Sequence, residues 1–319
     1  MPGFPPGIEI PGYRRPSLRG FSELAQSLMS LPLDGGPPHA ILPPRPLRPS
    51  DMIRELFHIG SFSVSPFGVM LVCAFLASYL QLRWGMKTLG IGDEEDASAL
   101  VFAAGVGGIV GAKVYYAILF KDWHLLLDRS GLVWYGGFIL GAIGVLWTMR
   151  RRRLPAWPMA DVAAPALALG YGIGRIGCFL VGDDYGRPTD LPWGIAFPVG
   201  LPETTAGNLR DLFHVKIPES IPDSTLMRVH PTQLYETAMA LAIWGVAMWM
   251  FRRRHQPGSI ALVVLALLAV ERFLVEILRA KDDRFFGPFT LAQVISVAVL
   301  VLIGIIAWLR RGRLAPREA

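Results

Sequence analysis

Residues 285–309 run for 25 positions without one Asp, Glu, Lys or Arg, and residues 56–82 do the same for 27. A helix needs about 20 mainly apolar residues to cross roughly 30 Å of hydrocarbon. Inside that layer only helices and closed barrels satisfy every backbone polar group. Unbroken runs of this length lack the period-two alternation of a barrel strand, so they read as helices. Residues 97–120, 131–149, 162–181, 235–251 and 259–278 form five further apolar runs. The fifth span, 235–251, is short unless 230–236 supplies its outer end. Charged residues make up 18% of the chain, against about a quarter in a soluble domain. We therefore expect an all-α fold: a polytopic membrane bundle of about seven transmembrane helices.

The basic residues orient it. Arg83 and Lys87 follow the first span, Arg150, Arg151, Arg152 and Arg153 the third, Arg252, Arg253 and Arg254 the fifth, and Arg310, Arg311 and Arg313 the seventh. These four sites fall on one face, which is cytoplasmic by the positive-inside rule. The N-terminus is then outside and the C-terminus cytoplasmic. Arg45, Arg48 and Arg54 pull the other way but are outnumbered. Residues 1–50 are rich in Pro, Gly and Arg and have no apolar core, so they read as a disordered extension ahead of a transmembrane domain at 51–319. With no cleavable signal visible, the first span serves as a signal anchor.

The net charge of +6 is explained by arginines flanking membrane spans and needs no nucleic acid. Cys73 and Cys178 lie in different spans with no disulfide or zinc spacing, and the six histidines are scattered. No metal site, cofactor, phosphate loop or internal repeat is expected.

Charged groups inside the spans carry the functional signal, because each costs about 3 kcal/mol at membrane depth even on lenient scales. At about 1.5 Å per residue, Arg175 and Arg272 both stand roughly 20 Å from the inner edge of their spans, and Lys113 about 24 Å. Tyr135 lies about 6 Å below the outer surface, and Glu236 at the outer end of the fifth span. Arg272, Glu276 and Arg279 are spaced i, i+4, i+7 on one helical face, while Glu271 points about 100° away. Such a stripe belongs in the bundle or a wet cavity. Purely structural pairing is the alternative for Glu276, yet it requires no shared depth and no excess of base. Lys113 alone could snorkel, and Tyr135 alone could be an interfacial aromatic. In the loop region 182–230, turns account for the glycines but not for Asp183 and Asp184 beside an arginine-bearing span. His230, Tyr235 and Glu236 form a polar wall at the same interface.

The segment 174–198, GRIGCFLVGDDYGRPTDLPWGIAFP, resembles the signature of the bacterial prolipoprotein diacylglyceryl transferases. The likeness runs through Gly174, Arg175, Gly177, Phe179, Gly182, Asp183, Tyr185, Gly186 and Arg187. It extends to GAKVYY at 111–116, Tyr135-Gly136-Gly137, HPTQLYE at 230–236 and ERFLVEILR at 271–279. The resemblance implies a seven-span enzyme of the bacterial plasma membrane. Such an enzyme moves the diacylglyceryl group of phosphatidylglycerol to the lipobox cysteine thiol of a prolipoprotein, forming a thioether and releasing glycerol phosphate. Its partners are phosphatidylglycerol, prolipoprotein signal peptides and the bilayer, with the site toward the outer leaflet. Carried over residue by residue, it implies catalytic roles for Arg175, Arg272, Glu276, Asp183 and Tyr135. It implies substrate contacts for Arg175, Arg272, Arg279, Gly186, Lys113, His230, Tyr235 and Glu236. Met52 stands directly before the point where family members begin, so a start there is an open alternative.

Four positions depart from the family pattern. Tyr135 replaces a histidine, Cys178 an asparagine and Asp183 a glutamate, and Leu268 stands where some members have tyrosine. A phenol of pKa about 10 is a poorer base than imidazole, which leaves Asp183 and Glu276 as better candidates to orient or deprotonate the thiol. The competing readings are a lipid or organic-anion transporter and a non-catalytic lipid-binding relative. A transporter site belongs near the midplane between repeats; these charges sit toward the outer face.

Overall fold

The computed structural model describes residues 56–59, 62–126, 133–253, 255–280, 284–286 and 289–312. The expected N-terminal extension, 1–50, lies outside them. Among the described residues, seven helices of 18 residues or more dominate: α1 (Pro66–Leu89), α2 (Glu94–Phe120), α3 (Trp134–Arg151), α4 (Ala156–Val181), α6 (Thr232–Phe251), α7 (Ser259–Leu278) and α8 (Leu291–Gly312). A short helix, α5 (Ala206–Asp211), sits in the long loop before α6. Five of the seven are long and apolar enough to cross a membrane: α1, α2, α4, α6 and the first 20 residues of α8. The other two fall short for visible reasons. α3 is only 18 residues long and ends in two arginines, and α7 carries Glu271, Arg272 and Glu276. The chain is a polytopic helical membrane protein.

Local chemistry sets the helix ends, and in two places it corrects the expected spans. The first helix starts ten residues later than position 56, because a hairpin occupies that stretch. β1 (Phe57–Ile59) pairs antiparallel with β2 (Phe62–Val64), Ile59 facing Phe62. Ser65 then caps α1, its Oγ accepting from Gly68 N–H at 3.1 Å with Pro66 in the first turn, an arrangement that suits both residue types. The last helix likewise begins at Leu291 instead of 285, after the hairpin β3 (Arg284–Phe286) and β4 (Phe289–Thr290). α7 matches its expected span, and α6 gains a turn by starting at Thr232.

Helices α1, α6 and α7 pack around α4, alternating in direction along the chain. Near the loop-rich end a Cβ on Gly177 of α4 would meet Phe67 of α1 at 3.2 Å; near the opposite end Gly85 of α1 lies against Val162. Ala164, Ala168, Ile243, Ala247 and Val264 pack α4, α6 and α7 together. Helices α2 and α3 form a hairpin whose glycines meet backbone to backbone: a side chain on Gly111 would overlap the Gly136 carbonyl, and one on Gly107 the Leu140 carbonyl at 2.7 Å. The hairpin joins the rest at the arginine-bearing end, where Ala97 and Leu100 pack with Leu82, Met86 and Val162. There Arg152 reaches Glu95 and Asp96, both at 2.8 Å.

A cap of loop and short extended pieces covers the other end. Segment 186–189 runs between two others: Gly186 N–H bonds His230 O at 2.9 Å, and Arg187 N–H bonds Leu278 O at 2.8 Å. Phe197 stacks on Tyr185 at 5.7 Å and meets Phe179 of α4 edge-on at 5.9 Å, which seats the cap on the helix end.

Candidate active site

Where the cap meets the bundle, charged side chains from three helices converge. Arg175 of α4 is buried; its Nε donates to Glu236 Oε2 of α6 at 2.6 Å, and its Nη1 to Asp184 Oδ2 at 2.9 Å. Arg272 of α7 pairs with Glu276 one turn on, at 2.6 Å, and lies 3.7 Å from Glu236 Oε1. Arg279, just past α7, pairs with the other oxygen of Asp184. Glu236 is wholly buried and joins two of the arginines, while Asp184 joins Arg175 to Arg279. The spacing read on α7 thus carries through: Arg272, Glu276 and Arg279 lie along one network.

The bend after α4 explains how two adjacent aspartates take different roles. Gly182 ends the helix in the left-handed region, at φ 66°, and Asp184 adopts φ 60°, a conformation that Asp tolerates better than most residues. The first turn of α6 holds this bend from below: Gln233 Nε2 donates to Asp183 O at 2.6 Å, and Thr232 Oγ1 to Asp184 O at 2.9 Å. Asp184 is thereby swung in between the arginines, leaving Asp183 at the surface. Burial alone would raise the Asp184 carboxyl, but the Arg279 and Arg175 guanidiniums outweigh it and hold it below the usual carboxylate range. Asp183 behaves oppositely. Although exposed to solvent, it is crowded by protein, and that desolvation together with the Asp184 charge pushes it up. A cavity of about 270 Å³ opens beside Asp183, Asp184, Phe213 and Arg279.

Gly186 is sterically required. A Cβ there would meet His230 Cβ and Leu278 O, both at 2.7 Å, prying apart the strands that carry Arg279 and His230. Tyr235 Oη accepts from Trp193 Nε1 at 2.7 Å and lies 3.4 Å from His230 Nδ1, whereas Glu236, expected in the same polar wall, is buried against Arg175. Burial lowers the His230 pKa, favouring neutral imidazole. Lys113 and Tyr135 stand elsewhere, on the α2–α3 hairpin beside the crossing of Gly111 and Gly136.

Three members of the network lay outside the sequence-based site. Asp184, and not its neighbour Asp183, joins Arg175 to Arg279. Tyr171 stands one turn before Arg175 on the same face; its hydroxyl lies 3.0 Å from Glu236 Oε1 and 3.3 Å from Glu271 Oε1, and its ring lies under the Arg175 guanidinium at 5.7 Å. Glu271, which points away from Arg272, is held by that tyrosine. The i, i+4 spacing of Tyr171 and Arg175 was the available signal. Cys178 sits 3.6 Å from Arg175 Nη1. Among the described residues no group of His, Cys, Asp and Glu is arranged to hold a metal ion.

The family model described as prolipoprotein diacylglyceryl transferase matches residues 54–310. The chain belongs to that family. Its match takes in the cap and the seven long helices except the last two residues of α8, so the network lies wholly within the family's region. Relatives named phosphatidylglycerol–prolipoprotein diacylglyceryl transferase include one from Xylella fastidiosa strain 9a5c, 32% identical over 79% of this chain and 91% of its own. One from Geobacter sulfurreducens is 29% identical over 77% and 90%, and one from Vibrio vulnificus strain CMCP6 is 31% identical over 79% and 89%. The departures of this prolipoprotein diacylglyceryl transferase family member are distributed unevenly. Cys178 touches the charged network, Asp183 borders it, Leu268 packs in the apolar core, and Tyr135 is on the separate hairpin.

Proposed function

We infer that this chain transfers the diacylglyceryl group of phosphatidylglycerol to the lipobox cysteine of a prolipoprotein. The sulfur forms a bond to a glycerol carbon, the bond from that carbon to the phosphate oxygen breaks, glycerol phosphate leaves, and the thiol proton passes to a base. All seven long helices cross a bacterial plasma membrane, N-terminus outside and C-terminus cytoplasmic, and the site faces the outer leaflet. The observation that carries this reading is the meeting of Arg175, Arg272 and Arg279 beneath a capped helix end. A departing phosphate needs its growing charge held, and guanidinium keeps its charge and binds phosphate oxygens in pairs.

Accessibility divides the labour. The Arg175 side chain is only 11% exposed and enclosed by Glu236 and Asp184, whereas that of Arg272 is 33% exposed. Arg272 is therefore the phosphate's first contact, and Arg175 positions Glu236 and Asp184 around it. Glu276, buried against Arg272, fixes that guanidinium and is poorly placed to receive a proton. Asp183, exposed beside the cavity and raised in pKa, is the better base. Gly186 lets the backbone close over the site, with His230 and Tyr235 forming the wall against the headgroup. Lys113 and Tyr135, on the hairpin across from the network, meet the lipid or the peptide.

The test is incubation in detergent with phosphatidylglycerol and a lipobox peptide. A peptide mass gain of one diacylglyceryl group is expected, reduced at least a hundredfold by Arg272→Ala and poorly restored by Arg272→Lys. No mass gain with the unmodified protein, or normal transfer by Arg272→Ala, would overturn the assignment.

A further inference from the structure

At the end of the bundle far from this network, a second cavity of about 800 Å³ opens between the last turns of α1 and α6. Arg252, at its rim, stands about 24 Å along α6 from Glu236, so the two sites are separate. Among its lining residues, buried Gln81 accepts from Trp244 Nε1 at 3.2 Å and turns its amide nitrogen to Met248 sulfur at 3.6 Å. The walls are aromatic, with Trp84 set edge-on to Phe251 at 5.5 Å and Trp249 half exposed. Gly245 lines the cavity, and a Cβ built on it would meet nothing within 4 Å.

We propose that this groove holds one acyl chain of an anionic phospholipid from the leaflet at the arginine-bearing end, with the phosphate at Arg252. Three observations choose that occupant over a protein helix or a second copy. The volume suits a slender chain and lies within the usual range of small-molecule pockets. Indoles line it toward the ends of two helices long and apolar enough to cross a membrane, and tryptophan favours the interfacial depth. The rim is cationic: Arg252 is exposed with no carboxylate bound to it among the described residues, and Arg253 beside it lies over the Trp249 ring at 4.3 Å. A basic pocket between membrane helices, opening toward a basic face, recognises anionic headgroups.

Native mass spectrometry of the full chain tests this, titrating dioleoyl phosphatidate against dioleoyl phosphatidylcholine. An Arg272→Ala background weakens binding at the outer network, so that phosphatidate retained there is not counted. We expect phosphatidate to be retained and phosphatidylcholine at least tenfold less. Gly245→Phe, which fills the groove, and Arg252→Gln should each weaken phosphatidate binding at least tenfold, while Gly245→Ala binds normally. Arg252 is exposed, so its variant reports even if Gly245→Phe folds poorly. Unchanged phosphatidate binding in Arg252→Gln, equal retention of the two lipids, or a dimer lost in Gly245→Phe would each overturn the proposal. None of these readouts depends on transfer activity.

Discussion

A side chain earns its part in this site by how much of it remains reachable once its partners are in place. Asp183 stands exposed at the edge of the cavity, one carboxylate oxygen accepting from Asp184 N–H at 2.7 Å, whereas Tyr135 lies on another helix pair. Tyr135→Phe should therefore retain most transfer activity, while Asp183→Asn should lose about a hundredfold, the scale of a lost general base. Because a base works only when deprotonated and the Asp183 pKa is raised, activity should fall as pH drops through a value above the ordinary 3.9. The kcat/KM profile of the unmodified protein should show that acid limb, and the residual activity of Asp183→Asn should lack it. A dead Tyr135→Phe beside a normal Asp183→Asn would reverse the two roles. Asp184 carries the opposite dependence. Its folded pKa is depressed, so its stabilisation is complete above its unfolded value and is lost as pH falls through the lower folded one. Asp184→Asn should lower the melting temperature in detergent at neutral pH, and the gap should close below about pH 4.

Among the elements, α7 depends on a cap supplied from elsewhere in the chain. Buried Asp161 of α4 accepts from Gly258 N–H at 2.5 Å and Ala261 N–H at 2.8 Å, meeting orphan donors and the positive helix end together. Asp161→Ala should cost about 1 kcal/mol and, because α7 carries Arg272 and Glu276, should also slow transfer; a melting curve and a rate will show both. Unaltered melting would mean that water replaces the carboxylate. The elements themselves were largely legible, since hydrophobic runs and caps are local: 259–278 came out as read. The first and last helices were read as starting too early because their leading residues are as apolar as a helix but bend into hairpins that composition does not mark. The charged network was legible on one side only. Shared depth singled out Arg175 and Arg272, and spacing singled out Glu276. That Arg175 takes Asp184 instead of Asp183 depends on the left-handed turn after Gly182, and the capture of Glu271 by Tyr171 depends on how α4 and α7 face each other. Neither is written in any single segment.

At the scale of the whole molecule, the proposed orientation of the chain in the membrane has a direct test. Of the native cysteines, Cys73 is exposed and Cys178 buried, so a Cys73→Ser background gives a clean reporter. In intact cells a cysteine replacing Asp190 should react with an impermeant maleimide, and one replacing Arg151 should react only after the membrane is opened. The reverse pattern would invert the orientation. The pairing of Arg175 with Glu236 also sets a timetable. The two stand 61 positions apart, and a chain grows at about 5–20 residues per second. Arg175 is therefore added to the chain about 3–12 s before Glu236, and Arg272 follows later still. During that interval Arg175 can reach Asp184 but not Glu236, so the final seating of α4 waits for α6. Biogenesis of this protein is then paced from its middle helices, and a truncation that stops before Glu236 should be cleared by membrane quality control instead of accumulating.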